Sequence, residues 1–297
     1  MGKVSKALNK SQPQFSPEAP PVDHTDQDRY NDQKIPHMIR ENKVNTLNLN
    51  APGLSRTAED KIKNWDERLI SSTRYVTGVA EGIRKLRSRI LHTDSGRKIK
   101  SILILSSDPQ EGKTFVCANL GISFARSREH HVLLVDCDLR RPSLHTMFGI
   151  NREKGLADYL DGKINISGIS DLEVSTGLSK LSIIPAGSPQ ENPAELLSST
   201  KMPEIVDELS SRYHDGLVIL DTPPFHSAAE TLLLSKLVDK IVLVVRWGKS
   251  GRENIKKMVD TIGREKIIGT VFNAFEANVL DRKMQGVGYG NYYSEYY

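Results

Sequence analysis

Ile102-Leu103-Ile104-Leu105-Ser106-Ser107-Asp108-Pro109-Gln110-Glu111-Gly112-Lys113-Thr114 is the stretch on which the rest of the chain is read. Four consecutive apolar residues read as a buried strand, and Gly112-Lys113-Thr114 opens a helical stretch expected over Lys113–Arg128. Strand, loop and helix N-terminus in that order make a phosphate cradle. Backbone N–H groups point at an anion, and the helix dipole favours negative charge there. Lys113 can reach the β- and γ-phosphates of a nucleotide, and the Thr114 hydroxyl can ligate Mg²⁺. The candidate nucleotide-contacting residues of the loop are Ser107, Asp108, Gln110, Glu111, Gly112, Lys113 and Thr114. The general pattern asks for glycine six residues before the lysine, and here Ser107 stands in that place.

Outward from this loop the chain alternates apolar runs with helical stretches. Val132–Val135, Leu181–Ile184, Leu217–Leu220, Ile241–Val245 and Ile268–Phe272 read as further strands. Runs without polar alternation, separated by helices, indicate a parallel sheet covered on both faces. The expected fold is therefore α/β: a doubly wound, mostly parallel sheet of the P-loop NTPase type. Sites in such sheets lie beyond the carboxyl ends of the strands. Two of those ends carry acids, in Val135-Asp136-Cys137-Asp138-Leu139-Arg140-Arg141-Pro142 and in Leu220-Asp221-Thr222-Pro223-Pro224. Mg²⁺ prefers hard oxygen ligands and keeps waters. Thr114, Asp136 and Asp221 are thus the candidate metal residues.

Upstream, Ile62, Trp65 and Leu69, and then Val76, Val79, Ile83, Leu86 and Ile90, recur at helical spacing. Gly78 and Gly82 weaken that stripe near its middle, which predicts two helices. Residues 1–58 are rich in Pro, Asn, Gln, Asp and Ser, a composition that cannot bury enough area to offset chain entropy. The expected organisation is a flexible arm over 1–58, a P-loop domain over 59–280 and a tyrosine-rich tail over 281–297. Within the domain, leading helices occupy 59–93 and an α/β core occupies 99–274. The tail carries Tyr289, Tyr292, Tyr293, Tyr296 and Tyr297.

Composition narrows the function classes. A net charge of +4 is too mild to suggest nucleic-acid binding. The dense basic stretch Arg84, Lys85, Arg87, Arg89, Arg97, Lys98 and Lys100 reads either as a solvated helix face or as a subunit or acidic-membrane contact. No run of eighteen apolar residues is present, so no segment is expected to span a bilayer. Met1-Gly2-Lys3-Val4 lacks the apolar run of a secretory signal. Cys117 and Cys137 have no metal spacing and suggest a reducing cytoplasm, with both thiols acting as small buried groups.

Together, the loop, Val135–Pro142 and Leu220–Pro224 resemble the Walker A, Walker A′ and Walker B motifs of bacterial tyrosine kinases, the autokinases of capsule and exopolysaccharide synthesis. The resemblance runs from about Glu81 to the C-terminus. Glu81-Gly82-Ile83-Arg84-Lys85-Leu86-Arg87 is similar to a family signature linked to ring assembly, which implies Glu81, Arg84 and Arg87 as oligomer contacts. Asn192-Pro193-Ala194-Glu195-Leu196-Leu197 resembles another family segment, and a terminal tyrosine cluster is a family feature. The resemblance implies ATP and Mg²⁺ as cofactors, with Lys113 holding phosphates and Thr114 and Asp221 serving the metal. Asp136 and Asp138 would serve the metal and the tyrosine hydroxyl, so Lys113, Asp136, Asp138 and Asp221 form the implied catalytic set. Asn273 resembles an adenine-contacting Asn of related ATPases, or simply ends a strand. The five tail tyrosines become the implied phospho-acceptors. A homo-oligomer is implied, together with a separate membrane protein of polysaccharide chain-length control or export that recruits the chain to the inner face of the membrane. The family loop usually has glycine where this chain has Gln110. Two alternatives stay open: an ATPase switch of the partitioning or positioning type, and an ATP-binding regulatory scaffold. The switch proteins carry a lysine at the loop position that is Asp108 here.

Overall fold

The computed structural model describes residues 62–74, 78–93, 98–127, 130–151, 154–212 and 215–274. The 1–58 arm, the 281–297 tail and all five candidate acceptor tyrosines lie outside the described residues.

The two upstream helices are α1 (Glu67–Arg74) and α2 (Gly78–Leu91), which begins at the first of the two glycines. Strand β1 (Ser101–Ser106) leads through the loop to α3 (Lys113–Ala125), three residues shorter than its sequence suggests. Then follow β2 (His131–Asp136), β3 (Val174–Ser175), β4 (Leu181–Ile184) and α4 (Lys201–Arg212). The series continues with β5 (Gly216–Asp221), α5 (Glu230–Leu237), β6 (Lys240–Arg246), α6 (Arg252–Ile262) and β7 (Ile267–Asn273). Six of the strands match the apolar runs; β3, two residues long, has no such run to announce it.

The seven strands form one sheet in the order β3-β4-β2-β5-β1-β6-β7. All pairs are parallel except the edge pair β3–β4. Alternation still operates inside the uniformly apolar strands. Ile102, Ile104, Leu134, Ile219 and Val242 face one core with Leu69, Ile83, Leu86, Ile90, Val116, Leu120 and Phe124 of α1, α2 and α3. Leu103, Leu105, Leu133, Val218 and Leu243 face the other with Met202, Ile205, Val206 and Leu209 of α4 and Met258 of α6. Each of these strand residues has a helix to pack on, so neither face of the sheet centre needs polar side chains. Burying each such Val, Leu, Ile or Met contributes about 1.5–3 kcal/mol.

α1 belongs to this domain rather than hanging from it. Leu69 is fully buried, and the Ser72 hydroxyl donates to Asn119 Oδ1 of α3 at 2.6 Å. Just before α1, Trp65 packs edge-on against Phe148 with centroids 5.1 Å apart, and its indole N–H donates to Thr176 O at 3.0 Å.

The sheet order sets the site. β1 lies between β5 and β6, and β2 lies beyond β5. The last residues of β2 and β5, Asp136 and Asp221, stand opposite each other in register. The loop that follows β1 opens at the same carboxyl edge.

Candidate functional site

The loop from Ser107 to Gly112 turns on two left-handed residues, Gln110 at φ 62° and Gly112 at φ 93°. Gly112 has a second constraint besides its φ. A Cβ there would lie 2.0 Å from Asn273 Nδ2, so any side chain would displace the Asn273 amide. Gln110 pays for the same backbone geometry with a side chain, at about 1 kcal/mol or more. α3 begins at Lys113, directly after the turn.

Lys113 is buried, with 7% of its surface exposed. Burial lowers its pKa, and Asp221, Asp138 and Glu111 work against that shift. Asp136 is fully buried. Its Oδ1 accepts the Asp138 N–H at 3.2 Å and its Oδ2 accepts the Leu144 N–H at 3.1 Å. Burial pushes its carboxyl well above the ordinary range, and the facing Asp221 adds to the shift. Asp221 is as deeply buried, yet among the described residues neither of its oxygens makes a hydrogen bond of good geometry; the Thr114 hydroxyl and the Thr222 N–H approach it only loosely. Burial raises its pKa to about 6; the nearby Thr114 hydroxyl and Lys113 favour its charge without closing that gap. Asp138 is half-buried and caps the next turn by accepting the Arg141 N–H at 3.0 Å.

Lys113, Asp136, Asp138, Asp221 and Thr114 therefore converge at one edge. Thr114 Oγ1 lies 3.1 Å from Ser143 Oγ. No ring of three or more His, Cys, Asp and Glu side chains able to hold a metal is found among the described residues. The donor set still fits Mg²⁺, which keeps several waters and takes one or two carboxylates plus phosphate oxygens. An orphaned, fully buried carboxylate beside a hydroxyl is a site that a hard cation satisfies.

Asn273 sits at the end of β7, and its side-chain N–H donates to Glu111 O at 2.9 Å. It faces the loop backbone through Nδ2. Glu81, Arg84 and Arg87 lie on α2. Arg84 pairs with Glu81 at 2.6 Å, and Arg87 donates to Ser123 O of α3. Both guanidinium groups thus have partners inside the chain. Cys117 and Cys137 are buried free thiols whose pKa burial raises.

Sequence reasoning did not find four features. Ser143 faces Thr114. Arg140 pairs with the buried Glu230 at 2.8 Å, tying the segment after β2 to the start of α5. The turn Arg246–Ser250 lies against the loop. Asn254 of α6 lies 3.4 Å from Asp108 Oδ1. No local pattern marks these residues, because each meets its partner across 29 to 146 positions.

Residues 102–287 match the family described as the CobQ/CobB/MinD/ParA nucleotide binding domain. The tyrosine-protein kinase YwqD of Bacillus subtilis (strain 168) is 34% identical over 196 residues, which are 65% of this chain and 80% of that protein. The tyrosine-protein kinase wzc of Salmonella typhimurium is 31% identical over 238 residues, 79% of this chain and 32% of the longer relative. Among solved structures, the kinase domain of the Escherichia coli tyrosine kinase ETK aligns with a TM-score of 0.62 at 25% identity, covering 71% of this chain and 82% of that one.

Proposed function

From the premise that the chain belongs to the CobQ/CobB/MinD/ParA nucleotide-binding family, and within it to the tyrosine-protein kinases, we propose that it uses ATP-Mg²⁺ to phosphorylate the tyrosines of its own C-terminal tail. The observation that supports this best is Asp221, a buried carboxylate without a well-formed hydrogen bond, next to Lys113 at a helix N-terminus. Lys113 and the loop amides bind and orient the phosphates. Thr114, Asp221 and Asp136 would hold Mg²⁺, which when bound neutralises phosphate charge.

A tyrosine hydroxyl has a reference pKa near 10, so its proton must leave as transfer proceeds. Asp138 is the carboxylate best placed to accept it. It is half-buried, whereas both oxygens of Asp136 already accept backbone N–H groups. Phosphoryl transfer has a loose transition state, so alignment and charge neutralisation carry most of the rate. Asn273 is proposed to meet the adenine through its Oδ1, since its Nδ2 is engaged by Glu111.

The tail is long enough for either geometry of transfer. The 23 residues after Ala274 span about 75 Å at about 3.3 Å each. The reading continues to a ring of subunits in contact through Glu81, Arg84 and Arg87, in which one tail enters a neighbour's site. Each phosphate adds about −1.5 to −2 charges, so a multiply phosphorylated tail would loosen the ring by repulsion. Among the described residues no helix is long and apolar enough to cross a membrane. On the family reading the chain works in the cytoplasm, recruited to the membrane by a polysaccharide-export partner in capsule or exopolysaccharide synthesis. The test is mass spectrometry of the tail after incubation with ATP-Mg²⁺. Phosphotyrosine is expected at positions 289–297 and absent from folded Lys113→Met protein; equal phosphorylation of both rejects the site.

A further inference from the structure

The turn between β6 and α6 makes an unusual number of bonds to the nucleotide loop. Arg246 Nη1 donates to Gln110 O at 3.0 Å. Lys249 Nζ donates to Pro109 O and to Gln110 Oε1, each at 3.2 Å. The Ser250 hydroxyl accepts the Arg246 N–H at 3.0 Å and donates to Glu111 Oε1. Glu111 is wholly buried, and its other oxygen accepts the Asp108 N–H at 3.2 Å. The turn is anchored in its place by the Trp247 N–H, which donates to Asn273 O at 3.0 Å.

These bonds gather on the one residue of the loop whose backbone does not suit its side chain. Gln110 has φ 62°, a region in which glycine rests freely and other residues are strained. Its carbonyl is held by one cation and its side-chain amide by a second. The charge balance points the same way. Asp108 and Glu111 put two carboxylates into a loop that receives a polyanion, against Lys113 alone. Arg246 and Lys249 reverse the sign of that sum.

We propose that Arg246 and Lys249 are positioning residues for the nucleotide. They hold Pro109 and Gln110 in the turn that leaves the loop amides facing a phosphate, a conformation that glycine at 110 would reach without help. The inference rests on the reading of this loop as the phosphate site. It goes further in assigning a binding role to a segment well over a hundred positions away in the chain.

A double-mutant cycle tests it. Affinity for ATP-Mg²⁺ is measured by titration with a fluorescent ATP analogue, in the parent and in Gln110→Gly, each with and without Lys249→Ala. The expected loss from Lys249→Ala in the parent is about fivefold to tenfold, the scale of one solvent-exposed hydrogen bond. In the Gln110→Gly background the loss should fall to about twofold or less. Lys249→Arg should restore most of the affinity. In turnover, KM for ATP should rise with little change in kcat. Arg246→Ala should behave like Lys249→Ala. Thermal melting checks that each variant is folded, and the exposed Lys249 keeps the test sound if Arg246→Ala is not. An equal loss in both backgrounds, or no loss in the parent, overturns the proposal. Because binding is read directly, the cycle holds whether or not the protein transfers phosphate. A parent that binds no nucleotide overturns both this inference and the kinase site.

Discussion

Asp221 shows how far the site departs from a comfortable interior. Its folded pKa is about 6, above the unfolded value of 3.8. Between about pH 4 and pH 6 the folded chain therefore keeps a proton that the unfolded chain has released. Stability falls as pH rises through that window. Above it, the charged carboxylate destabilises the nucleotide-free protein by about 3 kcal/mol, from roughly two pKa units at 1.36 kcal/mol each. Asp221→Asn should thus be more stable than the parent at pH 7.5 without nucleotide, by up to that amount, and the two should converge near pH 4. Denaturant titration at both pH values measures it, and identical midpoints at pH 7.5 would refute the assignment. The acids at 136 and 221 were legible in the sequence because each ends an apolar run. Their opposite states were not. Asp136 accepts two well-formed backbone N–H bonds, whereas Asp221 has only the weaker approach of Thr114 and Thr222, and only the path of the chain after each strand decides that.

At the scale of elements, the apolar spacing of Ile83, Leu86 and Ile90 located α2, whereas of the stripe Ile62, Trp65 and Leu69 only Leu69 lies in α1. Gly78 starts α2, while Gly82 lies within it with no atom near its missing Cβ. The prediction that belongs here concerns α1. Leu69 is fully buried against the same core as α3, so Leu69→Ala should destabilise the domain by about 2–5 kcal/mol. Equilibrium unfolding by denaturant checks this. A change below about 0.5 kcal/mol would mean that α1 is not part of the cooperative unit. β3 escaped the sequence because two residues paired antiparallel at an edge leave no period to read.

At the scale of the whole molecule, the open matter is assembly. The sequence reading put Glu81, Arg84 and Arg87 in a subunit contact, and within one chain Arg84 and Arg87 already have partners. A contact through them must therefore use their remaining donors. Arg84→Ala/Arg87→Ala protein should scatter light as a smaller species than the parent at equal concentration. Its melting should also be followed, because Arg87 ties α2 to α3. An unchanged mass in folded variant protein argues against the ring contact.

The chain's local patterns determined the sheet, its six principal strands, the helix that opens at Lys113 and the acids that end β2 and β5. Burial period and strand-end position are properties of a few neighbouring residues, so a single sequence carries them. Strand order is different. Apolar runs of equal character can be laid side by side in many ways, and only the folded order places β6 next to β1 and β7 next to β6. That order brings Arg246, Lys249 and Asn273 to the nucleotide loop across 136 to 162 positions. It also sets Asp136 opposite Asp221, so that two carboxyl groups are buried face to face and each favours the other's protonated form.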